Sequence, residues 1–167
     1  LNFDDHDKLN FDNSYVNYKK GIANLSIGKV DRIWSFSEKS SLILSSNSRP
    51  LEALSLKLEN RFNTNWLPSS ANWSVELING STESSYDNKK SMLSGARVVI
   101  SPHENLSFEF LQTAQWGDQN DKLYSSNIDA ILFGNTNEGS NSNLNKLAGF
   151  GVSYSIPLNK NTYRFYS

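Results

Sequence analysis

The sequence predicts an all-β fold of antiparallel strands, and three observations carry that expectation. Apolar and polar residues alternate with period two in one stretch after another, the pattern of strands with a single apolar face. Ser supplies 27 and Asn 22 of the 167 residues, short polar side chains that favour turns and sheet surfaces over helix interiors. The connections between the alternating stretches also sort into short and long ones.

Eight strands are expected, near residues 9–19, 21–30, 53–61, 73–80, 92–100, 105–114, 146–156 and 161–167. In the second, Ala23, Leu25 and Ile27 alternate with Asn24, Ser26 and Gly28. In the third, Leu54, Leu56 and Leu58 alternate with Ser55, Lys57 and Glu59. The fourth sets Trp73, Val75 and Leu77 against Ser74 and Glu76, and the fifth sets Ala96, Val98 and Ile100 against Arg97 and Val99. Leu106, Phe108 and Phe110 alternate with Ser107 and Glu109 in the sixth. The seventh is the clearest: Ala148, Phe150, Val152, Tyr154 and Ile156 point one way, and Gly149, Gly151, Ser153 and Ser155 the other.

The polar face carries Lys57, Glu59, Arg61, Glu76, Arg97 and Glu109, which suits either solvent outside a soluble sandwich or water inside a barrel. The connections favour the barrel. With Asp31–Pro50 taken as one excursion, the turns near Lys20–Gly21, Phe62–Asn72, Ser101–Asn105 and Pro157–Asn161 share one rim. Asp31–Pro50, Ser81–Ser91 and Gln115–Asn145 then share the other, and short turns opposite long loops are how outer-membrane barrels are built. The expected fold class is therefore an all-β, antiparallel transmembrane β-barrel. Within Gln115–Asn145, the spacing of Leu123, Ile128, Ile131 and Leu132 predicts a short helix over 123–133, and residues 134–145 have the composition of a mobile tip.

Composition excludes several classes of function. A formal net charge of −1 leaves no basic surplus for a phosphate backbone, so no nucleic-acid partner is expected. No apolar run approaches the roughly 20 residues of a membrane helix. A mean hydropathy of −0.53 is nonetheless compatible with barrel strands, whose two faces average to a polar value. Zero Cys removes disulfide frameworks and thiolate metal sites.

Three ordered motifs resemble a known family. They are Gly28-Lys-Val-Asp-Arg32-Ile-Trp34, then Ser41-Leu-Ile-Leu-Ser-Ser-Asn47-Ser-Arg49-Pro50, and later Thr113-Ala-Gln115-Trp116-Gly117. Together they look like the Wzi-type capsule-assembly proteins of the Gram-negative outer membrane, over most of the chain from about Tyr15 to Ile156. The resemblance implies an antiparallel barrel of roughly eighteen strands, within the range of such barrels. It also implies a lectin role, holding capsular polysaccharide at the cell surface, and no enzymatic one. Residues 1–167 would then be a single segment from a longer barrel that is monomeric when complete. Two departures stand out. The family's Arg-Trp-Trp-Gly-Pro-Gly run is here Arg32-Ile33-Trp34-Ser35-Phe36-Ser37, and its Asn-Ala-Arg-Pro run is Asn47-Ser48-Arg49-Pro50. Within 31–50, Ser41–Asn47 is expected to fold inward at the long-loop rim and narrow the lumen.

In this topology Arg32, Trp34, Arg49, Gln115 and Trp116 fall on one rim. Flat aromatic faces suit sugar rings, and guanidinium groups suit hydroxyls and uronate carboxylates, so the five are the candidate polysaccharide-binding residues. The structural alternative places the two Trp in an aromatic interface girdle and pairs the Arg with acids inside the barrel. Trp66 and Trp73, on the opposite rim, suit the girdle. Asp4, Asp5, His6 and Asp7 fit a solvated acidic loop better than a metal site, since four consecutive side chains do not converge on one ion unaided. His103 sits beside Glu104 in a short turn with no evident nucleophile, and neither catalysis, a metal nor a cofactor is expected. Four Asn-X-Ser matches, such as Asn72-Trp-Ser74, follow from the Asn and Ser content.

The expected function is an outer-membrane β-barrel lectin that attaches or assembles capsular polysaccharide, with outer-membrane lipid as its other partner. The alternatives are a general porin with an open lumen and a soluble β-sandwich carbohydrate-binding module.

Overall fold

The structure, a computed structural model, describes residues 13–30, 32–36, 50–81, 91–116, 145–158 and 161–167. Its strands are β1 (Tyr15–Lys20), β2 (Ala23–Val30), β3 (Leu51–Arg61), β4 (Asn72–Ser81), β5 (Met92–His103), β6 (Leu106–Trp116), β7 (Asn145–Leu158) and β8 (Asn161–Tyr166). They form one eight-stranded antiparallel sheet in chain order, with β1 and β8 at its edges.

The strand pattern agrees with the sequence reading, and the boundaries differ at informative places. The first strand is described from Tyr15, with Asn13 (φ 63°) in a left-handed turn just before it, and residues 9–12 of the expected strand lie outside the described residues. Gln115 and Trp116, expected in a loop, belong to β6. The ladder holds them there: Gln115 pairs with Leu93 on one side and Asn145 on the other, and Trp116 pairs with Met92. β5 continues to His103 across an irregular register between Ile100 and His103. The segments Ser41–Asn47, 123–133 and 134–144, the acidic run Asp4, Asp5, His6 and Asp7, and Arg49 lie outside the described residues.

Two-residue links join β1 to β2, β5 to β6 and β7 to β8 on one rim, where residues 62–71 also connect β3 to β4. That last loop is closed by Phe62 N–H donating to the Ala71 carbonyl (3.0 Å) and Ala71 N–H donating to the Pro68 carbonyl (2.9 Å). Trp66 stands at its tip, 80% exposed. The connections 31–50, 82–91 and 117–144 leave from the opposite rim. At that end Gly28 (φ 148°) lies so close to the start of β1 that a side chain there would collide with the Ser14 carbonyl and Tyr15. Its neighbour Lys29 donates its N–H to Ser14 O at 2.9 Å.

Pairing register assigns every residue to a face. Ser26, Ser55, Ile78, Gly95 and Thr113 lie in register on one face, whereas Leu25, Leu56, Leu77, Ala96 and Gln112 lie in register on the other. The first face carries the charges and the small residues. The second carries the apolar alternation, and Leu25, Ile27, Leu54, Phe110, Phe150 and Phe165 are exposed there. Phe110 and Phe150, directly paired, pack at a 5.0 Å centroid distance. This inverts the usual arrangement of a water-soluble domain, in which the greasy face is the hidden one.

A segment that crosses the polar face

Residues 32–36 leave the end of β2 and run over the polar face of the sheet. Three side chains fix them. Arg32 Nη1 donates to the carbonyls of Val30 (3.0 Å) and Leu51 (3.4 Å), while Nη2 donates to Ser55 Oγ (3.3 Å). Ser55 Oγ is itself 2.6 Å from Ser26 Oγ across the strand pair. Burial pushes the Arg32 guanidinium down from its ordinary value and Glu76 opposes the shift. Starting so high, an Arg keeps its charge at neutral pH.

Trp34 is the best-buried aromatic of the described residues, at 2% exposure. It packs against Ile78 on β4 and Leu111 on β6, with Leu51 at the edge of the cluster. Between them, on β5, stands Gly95. A methyl group on Gly95 would lie 2.8 Å from Trp34 Cη2 and Cζ3, so the absence of a side chain there is what seats the indole. Phe36 continues the path to β7, where a methyl group on Gly151 would lie 3.3 Å from Phe36 Cδ2. Arg32, Trp34 and Phe36 thus touch the wall from β3 to β7.

Beside this crossing lies a buried ion pair of the wall. Arg97 Nε donates to Glu109 Oε2 at 2.7 Å and Nη2 donates to the same oxygen, with Glu109 2% exposed. Glu76 faces Arg97 in register. Nearer the short-turn rim, Lys57 (2.7 Å) and Lys19 (3.5 Å) reach Glu59, but all three side chains are well exposed. Exposed pairs contribute about 0–1 kcal/mol. Removing one partner of a buried pair costs about 3–5 kcal/mol, so Arg97 and Glu109 matter far more.

The sequence-nominated rim residues therefore have different surroundings. Arg32 and Trp34 are brought together on the polar face, with the guanidinium bonded to the wall and the indole covered. Gln115 is exposed near the end of β6, and Trp116 is the last residue of that strand. Trp73 lies on the apolar face of β4, as a girdle residue should. His103 Nδ1 accepts the Asn105 N–H at 3.3 Å in the β5–β6 turn. Sequence reasoning missed Gly95 and Phe36. The signal for Gly95 is its lack of a side chain at an inward position flanked in register by Ile78 and Thr113.

A sheet with an exposed apolar face, a charged face rich in Ser, Asn and Gly, and loops sorted by rim is the wall of a β-barrel of the outer-membrane class. The chain belongs to the capsule assembly protein Wzi family, whose family model matches residues 2–167. It is similar to the solved structure of Wzi, an outer membrane protein involved in group 1 capsule assembly in Escherichia coli that is a carbohydrate-binding β-barrel. The TM-score is 0.68 at 21% identity, over 87% of this chain and 31% of that one. This chain thus spans under a third of that barrel's length. No curated protein matches it.

Two outcomes follow from the wall contacts. Gly95→Val drives the indole of Trp34 out of its seat, so the emission of the protein shifts to the red relative to the parent. A Trp34→Phe background removes that shift. Arg97→Met destabilises the folded barrel by about 3–5 kcal/mol in urea titrations, and adding Glu109→Met restores most of the loss, since the uncompensated buried carboxylate is what costs.

Proposed function

We propose that the protein is an outer-membrane β-barrel lectin that attaches or assembles capsular polysaccharide at the cell surface. The family match over residues 2–167 carries this reading, and the likeness to a carbohydrate-binding barrel supports it. The described sheet is one segment of the wall, with lipid against its apolar face and water against its charged one. The complete barrel acts as a monomer. Its role is binding rather than catalysis.

Glycan retention is assigned to the long-loop rim and the residues Arg32, Trp34, Arg49, Gln115 and Trp116. Arg32 and Trp34 contribute by holding the start of the 31–50 loop against the wall. Gln115, Trp116 and Arg49 contribute polar and aromatic surface at the ends of strands and beside Pro50. Each contact with a sugar is weak, and a repeating polymer raises the effective concentration of the next contact. Ser41–Asn47 folds inward and narrows the lumen, a reading supported by Arg32, Trp34 and Phe36 lying against the inner face from β3 to β7.

Replacing Arg32, Arg49 and Trp116 together by Ala in the full-length protein shifts capsule from the cell-attached to the shed fraction, at unchanged barrel abundance. Unchanged attachment counts against the assignment. In planar bilayers the parent barrel conducts poorly, and deleting residues 37–48 raises its conductance. A freely conducting parent refutes the narrowing.

A further inference from the structure

One side chain ties the start of the 31–50 excursion to both strands that it joins. Arg32 donates to the carbonyl of Val30, the last residue of β2, and to that of Leu51, the first of β3. Its third acceptor is Ser55 Oγ on the inner face of β3. All three acceptors are neutral. A guanidinium that is partly out of water thus has its hydrogen bonds satisfied but its charge unmatched, and an unmatched charge is costly to bury.

The inward acids of β3 to β6 are Glu59, Glu76 and Glu109. Two of them are committed elsewhere. Glu59 takes Lys57 at 2.7 Å and Lys19 at 3.5 Å, and Glu109 is bonded to Arg97. Glu76, half-buried, forms no ion pair among the described residues. Its ladder neighbours are Lys57 on β3 and Arg97 on β5, the two cations that Glu59 and Glu109 already hold. The wall keeps one acid in reserve, and Arg32 is a cation without a bonded acid.

Register brings the two together. Ser55, which accepts from Arg32, pairs with Ile78, and Glu76 is the next inward residue on β4. Glu76 therefore stands diagonally across from Ser55, at the roughly 7–8 Å separation that long side chains bridge. Glu52, at the near end of β3, belongs to the other face. The electrostatics agree with the geometry: Glu76 is the group that pushes the Arg32 guanidinium back up against the effect of burial.

We infer that Glu76 supplies the counter-charge of Arg32 and is a positioning residue for residues 32–36. It acts through Arg32 rather than on a sugar. By keeping the guanidinium on the wall it keeps Trp34 in its seat against Ile78, Gly95 and Leu111. The consequence for glycan retention rests on the lectin reading above, whereas the counter-charge itself rests on the wall contacts alone.

The test uses the full-length protein, with the signal of Trp34 taken by difference against Trp34→Phe in each background. Glu76→Gln shifts the Trp34 emission to the red and raises its quenching by acrylamide, and Glu76→Asp, which keeps the charge, restores most of both. Arg32→Met produces the same shift, and adding Glu76→Gln to it changes nothing further. On cells, Glu76→Gln moves capsule from the attached to the shed fraction at unchanged barrel abundance. An unmoved Trp34 in Glu76→Gln overturns the inference. So does an effect of Glu76→Gln that persists undiminished in the Arg32→Met background, which would assign the acid to Lys57 or Arg97 instead. A displaced Trp34 with unchanged capsule attachment overturns the link to glycan retention and leaves the counter-charge standing. Variants are scored after gel mobility shows each barrel folded, and Glu76→Ala replaces Glu76→Gln if that one fails.

Discussion

The unbroken antiparallel ladder from β1 to β8 is the constraint on which everything else depends. Side chains alternate along each strand, so a slip of one residue between two neighbours would turn every lumen residue of one strand outward. Arg97 would lose Glu109, Gly95 would no longer face Trp34, and the charges on β3 would move to the apolar face. Register is held here without a conventional core. Among the described residues the buried hydrophobic cluster is confined to Trp34, Ile78 and Leu111. Backbone hydrogen bonds therefore carry most of the cohesion of the wall, as they must where a bilayer offers no alternative partner.

Against that frame the small residues acquire opposite tasks on the two faces. On the inner face Gly95 and Gly151 leave room for aromatic rings arriving from the loop between β2 and β3. On the outer face Ala96 and Ala148 continue the apolar surface beside much larger neighbours. Gly28 does a third thing, letting the start of β1 press against β2 where a side chain would block it. The same composition that disfavours helices thus supplies contact sites for a wall that must be crossed closely on one side.

The eight strands were visible in the sequence because period-two alternation is a local property, present in any seven residues of a half-buried strand. The sorting of connections was visible for the same reason. The surroundings of Trp34 were not. A Trp after an Arg at a strand end has the same local signature whether its ring faces a sugar or a glycine on a strand about sixty residues away. What decides it is the register that brings Ile78, Gly95 and Leu111 together, and register is a tertiary fact. Asn13 interrupts the expected first strand because it adopts a left-handed conformation, which Asn tolerates without requiring. Gln115 and Trp116 were assigned to a loop because Gln112 interrupts the apolar alternation of Leu106, Phe108 and Phe110, hiding a strand that extends past it.

Alternation also couples the two faces of the wall. In a strand the residue beside an outward one points inward at nearly the same height. Asn79, Ser94 and Gln112 are the chain neighbours of Ile78, Gly95 and Leu111, so the register that sets the outer face also sets the seats of Trp34 on the inner one. A change that moved the apolar run of β4 by two residues would move its inward seat by the same amount. Neighbouring strands would have to follow to keep the ladder closed. The path of the crossing segment is thus not independent of the outer face of the wall: one register sets both.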